Sequence, residues 1–150
     1  MDAPTSTSSA TLLAAFHTLA TSEGITNRKS KCYKERRRKF LIDNVQRGFI
    51  DQFGANSSSL DSWKLLLATI GIEGSNKLTS IRQCKESLKG KFINIVDLVD
   101  AANAGSTIRN PNPFPSREAL SHYIKRTGKV FPKGNAKANP LLRQFLIVIA

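Results

Sequence analysis

Apolar residues recur at helical spacing along most of this chain, and capping residues and glycines separate the stretches. The clearest stretch runs from about Lys34 to Phe53, and Gly54 then ends the helix. Ser116 is a cap before a later helix, and Asn139 followed by Pro140 opens the last one. The pattern predicts an all-α, single-domain, compact bundle of six or seven short helices with a disordered N-terminus.

The chain divides into two parts by composition. Residues 1–27 form a flexible N-terminal segment, and residues 28–150 form a basic helical domain. Residues 1–10 are small and polar, which is typical of disorder. Residues 11–20 match a short helix whose shared apolar face would contain Leu12, Ala15, Phe16 and Leu19.

Residues 92–104 are apolar on nearly every side of a helical wheel, which predicts a central helix. A buried strand over residues 92–99 is the alternative, because four β-branched residues occur there. Asp97 and Asp100 interrupt the alternation of a strand and favour the helix.

Charge is distributed unevenly along the chain. The net charge is +12, and residues 40–108 contribute none of it, because they hold 7 basic and 7 acidic residues. Residues 28–39 carry 8 basic residues and one acidic residue, and residues 109–150 carry the same numbers. A neutral apolar middle between two basic blocks indicates a surface that faces a polyanion.

The first basic block lies at the start of the helix predicted from Lys34. Cations at a helix N-terminus oppose the helix dipole, at a cost of about 0.3–1 kcal/mol each. Arg36, Arg37 and Arg38 are therefore hard to explain as helix stabilisers. Arginine favours bidentate contacts with phosphate, and Tyr33 and Phe40 would stack on bases.

The second basic set straddles a helix end and a glycine-containing loop, from Lys125 to Lys137. Lys125 and Arg126 have a structural explanation, because cations near a helix C-terminus are favourable. Lys133 and Lys137 do not share that explanation. Two basic sets on one face would form a nucleic-acid groove, and sets on opposite faces would serve solubility.

Residues 78–105 and 120–147 resemble small basic proteins of filamentous fungi, which also share a segment like FGxNxSSLxxW, here Phe53 to Trp63. The resemblance covers residues 34–149 and includes a basic start to the first long helix. It implies a single domain with a variable N-terminus and a fungal protein that acts inside a cell, its own or a host's. That group has no established activity, so no site residues follow from it.

These features predict a non-enzymatic basic protein that binds the nucleic-acid backbone, DNA or RNA, without a cofactor or metal. It would work in the nucleus or cytoplasm, since no classical signal peptide precedes the apolar stretch at Leu12. The binding residues are the basic side chains of the two blocks: Arg28, Lys29, Lys31, Lys34, Arg36, Arg37, Arg38, Lys39, Lys125, Arg126, Lys129, Lys133 and Lys137.

Two alternatives stay open. The chain is a protein–protein interaction module or fungal effector, with its first basic block a nuclear localisation signal for importin or a surface for an acidic protein. Otherwise it is an enzyme that uses Asp97 and Asp100, which are three residues apart and share one helix face. The structural alternative is that these carboxylates lie on the exposed strip of a central helix or pair with a Lys or Arg.

A zinc site is not expected. Cys32, Cys84, His17 and His122 are scattered and lack the spacing of a zinc motif. The two cysteines fit a reducing compartment, although a single Cys32–Cys84 bridge is compatible with the sequence. No apolar run reaches the roughly 20 residues of a membrane span.

Overall fold

The computed structural model describes residues 11–108, 114–136 and 139–149. These residues form seven α-helices, and their one β-type pairing is an isolated bridge between Phe92 and Phe114. The predicted all-α bundle is confirmed for this part of the chain, whereas the predicted disorder of residues 1–10 lies outside it. The helices are α1 (Leu12–Ser22), α2 (Lys31–Phe53), α3 (Leu60–Ile70), α4 (Ile81–Leu88), α5 (Ile95–Asn103), α6 (Arg117–Thr127) and α7 (Pro140–Ile149).

Every one of these helices starts at a side-chain cap. The capping oxygen accepts a backbone N–H two or three residues further on, which satisfies a donor that the helix itself leaves unpaired. Ser116 caps α6 and Asn139 caps α7, as predicted. The other caps are Thr11, Ser30, Ser59, Ser80 and Asn94.

Helices α2 and α5 cross at the centre of the core. Leu41, Val45 and Phe49 of α2 are buried, and so are four residues of α5: Ile95, Val96, Leu98 and Val99. Gly48 lies at the crossing, where a Cβ would be 2.6 Å from Cγ1 of Val99. The absence of a side chain at Gly48 therefore permits the close approach of the two helices.

Helix α5 begins at Ile95, later than the predicted start at residue 92. Phe92 is in the isolated bridge, and the side chain of Asn94 accepts the backbone N–H groups of Val96 and Asp97. A side chain that caps a helix removes its own residue from the helix, so the boundary moves to Ile95. The strand alternative for residues 92–99 is wrong.

Helix α1 packs on α2 through a face that differs from the predicted one. Phe16 and Ala20 are buried, whereas Ala15 and Leu19 are exposed. The Phe16 ring meets Tyr33 edge-on at a centroid distance of 5.1 Å. The buried face of α1 is the one that packs against α2, and the sequence of α1 alone does not show which face that is.

Helix α2 begins at Lys31, three residues before the predicted start, because Ser30 caps it. Arg36, Arg37 and Arg38 therefore lie in the second turn, where the effect of the dipole has largely faded. The argument that these three arginines oppose the dipole is wrong. Their positions have to be explained by their surroundings instead.

Helix α6 lies at the edge of the bundle, and none of its residues is fully buried. Tyr123 packs its ring on Phe114 with the centroids 4.7 Å apart. Gly128 follows the helix with φ +78°, a left-handed conformation that suits glycine. This turn sends Lys129 back toward α5 and leaves Gly128 buried against α2.

Candidate nucleic-acid interface

Arg37 is the one residue of the basic run 34–39 whose side chain is half-buried. Its guanidinium carbon lies 5.8 Å from the centre of the Tyr33 ring, a cation–π distance. It also packs against Gly128, where a Cβ would lie 2.5 Å from the guanidinium carbon. The glycine after α6 thus makes room for an arginine of α2, and the two basic blocks touch at this point.

Three arginines from three segments line one cleft beside this contact. Arg28 comes from the loop before α2, Arg37 from α2, and Arg126 from the last turn of α6. We refer to the site as the arginine cleft. Its remaining lining residues are Leu13, Ala14, His17, Tyr33 and Thr127.

Each arginine of the cleft contacts an aromatic ring. Nη2 of Arg28 lies 3.0 Å from Nδ1 of His17, and the guanidinium carbon of Arg126 lies 5.6 Å from the centre of the Tyr123 ring. Contacts of this kind restrict the side chains without neutralising them, because the rings carry no negative charge.

No carboxylate of the described residues lies within 4.0 Å of these three guanidinium groups. The ion pairs of the described part of the chain involve other cations: Lys31–Glu35, Arg36–Glu23, Arg82–Glu86 and Lys129–Asp97. Within the described part of the chain, the arginine cleft is therefore a local set of positive charges without a carboxylate partner.

The rest of the first basic block spreads over other surfaces. Arg36 bonds to Glu23 and, with Lys39, borders a groove that also contains Asp43. A separate, exposed surface contains Glu35 together with four cations: Lys29, Lys31, Lys34 and Arg38. The structure brings Arg28 and Arg37 together with Arg126, but it does not bring the whole block to one face.

The second basic set is also divided. Lys125 is exposed on α6, and Arg126 lines the cleft. Lys129 points inward to Asp97, so it is engaged within the protein. The side chain of Lys133 and the whole of Lys137 lie outside the described residues.

The proposed base-stacking residues of the first block face inward. Tyr33 is buried, and the ring of Phe40 is half-buried against Phe16 at a centroid distance of 5.4 Å. The prediction that Tyr33 and Phe40 stack on bases is wrong, because both rings hold α1 against α2.

Asp97, Tyr123 and Lys129 form a compact polar cluster between α5 and α6. Nζ of Lys129 donates to Oδ1 of Asp97 at 2.6 Å and to the Tyr123 hydroxyl at 2.9 Å. The Tyr123 hydroxyl donates to Oδ2 of Asp97 at 2.7 Å. The exposed fraction is 19% for the Lys129 side chain and 27% for Asp97. We refer to these three residues as the lysine cluster.

The pKa values in the lysine cluster follow from burial and these bonds. Burial lowers the pKa of Lys129, but the bonds to Asp97 and Tyr123 outweigh it, so the pKa is raised overall. Burial raises the pKa of Tyr123, and the contact with Asp97 adds to the rise, whereas Lys129 opposes it. Lys129 is therefore charged and Tyr123 protonated at neutral pH.

Asp100 serves a different contact, at the start of α1. Its Oδ1 accepts the backbone N–H of Leu12 at 2.9 Å, and that amide is one of the unpaired donors of a helix N-terminus. Burial raises the pKa of Asp100, and Asp97 adds to the rise, while the Leu12 amide and Lys129 oppose it. Each of the paired carboxylates of α5 thus has a partner within the protein.

The cysteines are free: Cys32 is exposed and Cys84 is buried, so the Cys32–Cys84 bridge is wrong. Burial raises the pKa of the Cys84 thiol. Among residues 11–108, 114–136 and 139–149, no three His, Cys, Asp or Glu side chains cluster as metal ligands would. No helix in the same ranges combines the length and apolar character of a membrane span.

Two contributors to these sites, His17 and Tyr123, were not predicted as site residues. His17 follows Phe16 on α1, and no local pattern connects it with Arg28, which is 11 residues away. Two cations of the second basic set, Arg126 and Lys129, lie within 5.6 and 5.3 Å of the centre of the Tyr123 ring. An aromatic residue within one turn of a cation was the only available signal.

No protein-family model, curated protein or solved structure matches the chain. The resemblance to small basic fungal proteins therefore stays a prediction from the sequence. Functional inference has to rest on the arginine cleft and its surroundings.

Proposed function

We propose that this protein binds the phosphate backbone of a nucleic acid through the arginine cleft. One observation carries the proposal: Arg28, Arg37 and Arg126 line one cleft from separate segments and have no carboxylate partner in the described residues. Unneutralised cations held close together repel one another, and an anion from outside would relieve that repulsion. The role is one of binding without catalysis.

Phosphate is the anion that suits this arrangement. The guanidinium group is planar, keeps its charge at all physiological pH values and forms parallel hydrogen bonds to two phosphate oxygens. Arg37 is held between Tyr33 and Gly128, so less conformational entropy is lost when it binds. A backbone contact of this kind positions a nucleic acid without selecting its sequence.

The exposed surface of Lys29, Lys31, Lys34 and Arg38 supports the same partner in a weaker way. Among the described residues, their one carboxylate partner is Glu35, which pairs with Lys31. They would attract a polyanion at long range and increase its rate of association. Such a protein would work in the nucleus or cytoplasm, and its free cysteines agree with a reducing compartment.

The test measures binding of the purified protein to fluorescent single- and double-stranded DNA and RNA over a salt series. A variant with Arg28, Arg37 and Arg126 changed to Gln is compared with one in which Lys31, Lys34 and Arg38 are changed to Gln. Both variants lose three positive charges, so net charge is matched. Each phosphate contact contributes about 0.7–0.9 to the negative slope of log K against log salt concentration.

We expect tight binding with a steep slope, which the cleft variant reduces by about 2 and the matched variant reduces by less than about 1. Equal losses in the two variants would show that total charge, not the cleft, is responsible. Absence of binding near physiological salt would refute the proposal. The next partner to test would then be an acidic protein, beginning with importin.

A further inference from the structure

The arginine cleft brings three arginines into the lining of one site instead of along a track. Its lining comes from α1, the loop before α2, α2 itself and the end of α6. The other cations of the first block lie on separate surfaces: Arg36 and Lys39 border one groove, and Lys31, Lys34 and Arg38 border another. A strand that passed through the cleft would not find a continuous row of cations.

The shape of the site also bears on what enters it. An internal phosphodiester has a nucleotide on each side, and both must leave an open cleft that four segments border. A terminal phosphate monoester has a nucleotide on one side only. It can enter the cleft end-on, with the rest of the strand leaving in a single direction.

The charges of the two kinds of phosphate group also favour a terminal phosphate. An internal diester carries one negative charge and has two unesterified oxygens. A terminal monoester carries about −1.5 to −2 at pH 7 and has three strong acceptor oxygens. Three guanidinium groups around one cleft match the larger charge and the third oxygen.

Arg37 gives the clearest indication of a strong anion. It is half-buried, and no carboxylate of the described residues neutralises it. A cation that is partly removed from water is stabilised more by a dianion than by a monoanion, because the interaction grows with the charge of the partner.

We propose that the arginine cleft binds the terminal phosphate monoester of a nucleic-acid strand in preference to an internal phosphodiester. This inference rests on the proposed function, since it names the part of the nucleic acid that the same cleft recognises. It adds a preference for strand ends that carry phosphate.

The experiment compares single-stranded oligonucleotides of one sequence that carry a 5′-phosphate, a 3′-phosphate or hydroxyl groups at both ends. Each is labelled away from the end under test. A hydroxyl oligonucleotide one nucleotide longer controls for added charge. Inorganic phosphate is the competitor, with chloride at equal ionic strength as its control.

We expect one phosphorylated end to bind about tenfold more tightly than both hydroxyl oligonucleotides, the effect of one or two charge-assisted hydrogen bonds. Inorganic phosphate should remove that gain, and chloride should not. The gain should disappear in Arg37→Gln and persist in Arg38→Gln. Arg126→Gln, on the exposed end of α6, gives a second variant in case Arg37→Gln lowers folding, which circular dichroism would reveal.

Equal binding of all four oligonucleotides would overturn the preference for a terminal phosphate and leave the proposed function standing. Failure of every oligonucleotide to bind would instead refute the proposed function. A gain that survives in Arg37→Gln and Arg126→Gln would place the terminal phosphate elsewhere and overturn the assignment to the cleft.

Discussion

Lys129 and Arg37 are two half-buried cations that lie on either side of one structural feature, the turn at Gly128. Lys129 follows that glycine in the chain, and Arg37 packs against it. Lys129 has a carboxylate at 2.6 Å and a hydroxyl at 2.9 Å. Arg37 has aromatic and backbone neighbours and, among the described residues, no carboxylate.

The difference separates a structural role from a binding role. In the lysine cluster, charge and hydrogen-bonding capacity are satisfied within the protein, so the cluster stabilises the fold. In the arginine cleft each arginine contacts a ring, but no carboxylate of the described residues balances its charge. A site of that kind gains the most from an external anion.

The largest effect on folding is expected when the lysine cluster is broken. Asp97→Asn leaves Lys129 partly buried without a negative partner, which should lower the free energy of unfolding by about 1–3 kcal/mol. This loss of stability is smaller than the loss expected for a fully buried ion pair, because both side chains keep some exposure to water. Urea denaturation at pH 7 measures the change.

The control for Asp97→Asn is the double variant in which Lys129 is also changed to Met. Because both charges are then absent, the double variant should recover part of the lost stability. Nucleic-acid binding of the folded single variant should match the parent. A loss of binding without a loss of stability would contradict the structural role assigned to Asp97.

The opposite pattern is expected in the arginine cleft. Arg37→Met should leave the free energy of unfolding within about 0.5 kcal/mol of the parent, because a half-buried cation without a carboxylate partner contributes little to stability. It should weaken nucleic-acid binding about tenfold by removing a charge-assisted phosphate contact. Urea denaturation and fluorescence anisotropy provide the two measurements.

Arg38→Met is the matched control, since Arg38 is the next residue on the same helix and is exposed away from the cleft. It should reduce binding by about threefold or less at physiological salt, the weak effect of a screened surface charge. If Arg37→Met were strongly destabilising and bound normally, Arg37 would belong with Lys129 as a structural cation.

A smaller effect is expected at Asp100, and it should depend on pH. Because the pKa of Asp100 is raised in the folded state, the protein binds this proton more tightly than the unfolded chain does. The stability due to the group is complete below its ordinary pKa of 3.8 and is lost as the pH rises through the folded value. Its charge at neutral pH therefore disfavours folding.

Asp100→Asn keeps an oxygen that can accept the Leu12 N–H and removes the charge. The stability of this variant relative to the parent should therefore increase as the pH rises from 3 to 7. Urea denaturation at several pH values provides the measurement. A relative stability that falls over this range would contradict the account of Asp100, and binding of nucleic acid should not change.

Local signals in the sequence were sufficient for most of the helices. Caps such as Ser116 and Asn139 act within a few residues, so their effect is visible in the sequence. Two starts were misplaced because Ser30 and Asn94, the residues that cap α2 and α5, were not recognised as caps. The buried face of α1 was wrong for a different reason, since it depends on how α1 meets α2.

The candidate site was predictable only as a set of charges. The sequence identified thirteen basic residues, and three of them share the cleft. Selection among them depends on long-range contacts, above all Arg37 against Gly128, which are 91 positions apart in the chain. Asp97 is likewise 32 residues from Lys129, and helical spacing carries no information about such a pair.

The most direct test follows the NMR signals of the arginine and lysine side chains during titration with an oligonucleotide. The account predicts that the Nε–Hε signals of Arg28, Arg37 and Arg126 shift first and most strongly. The signal of Arg38 should move little, and the Lys129 Nζ group should keep its bonds to Asp97 and Tyr123. Shifts spread evenly over all arginines of the first block, or a Lys129 signal that responds as strongly as Arg37, would contradict the distinction between the two cations.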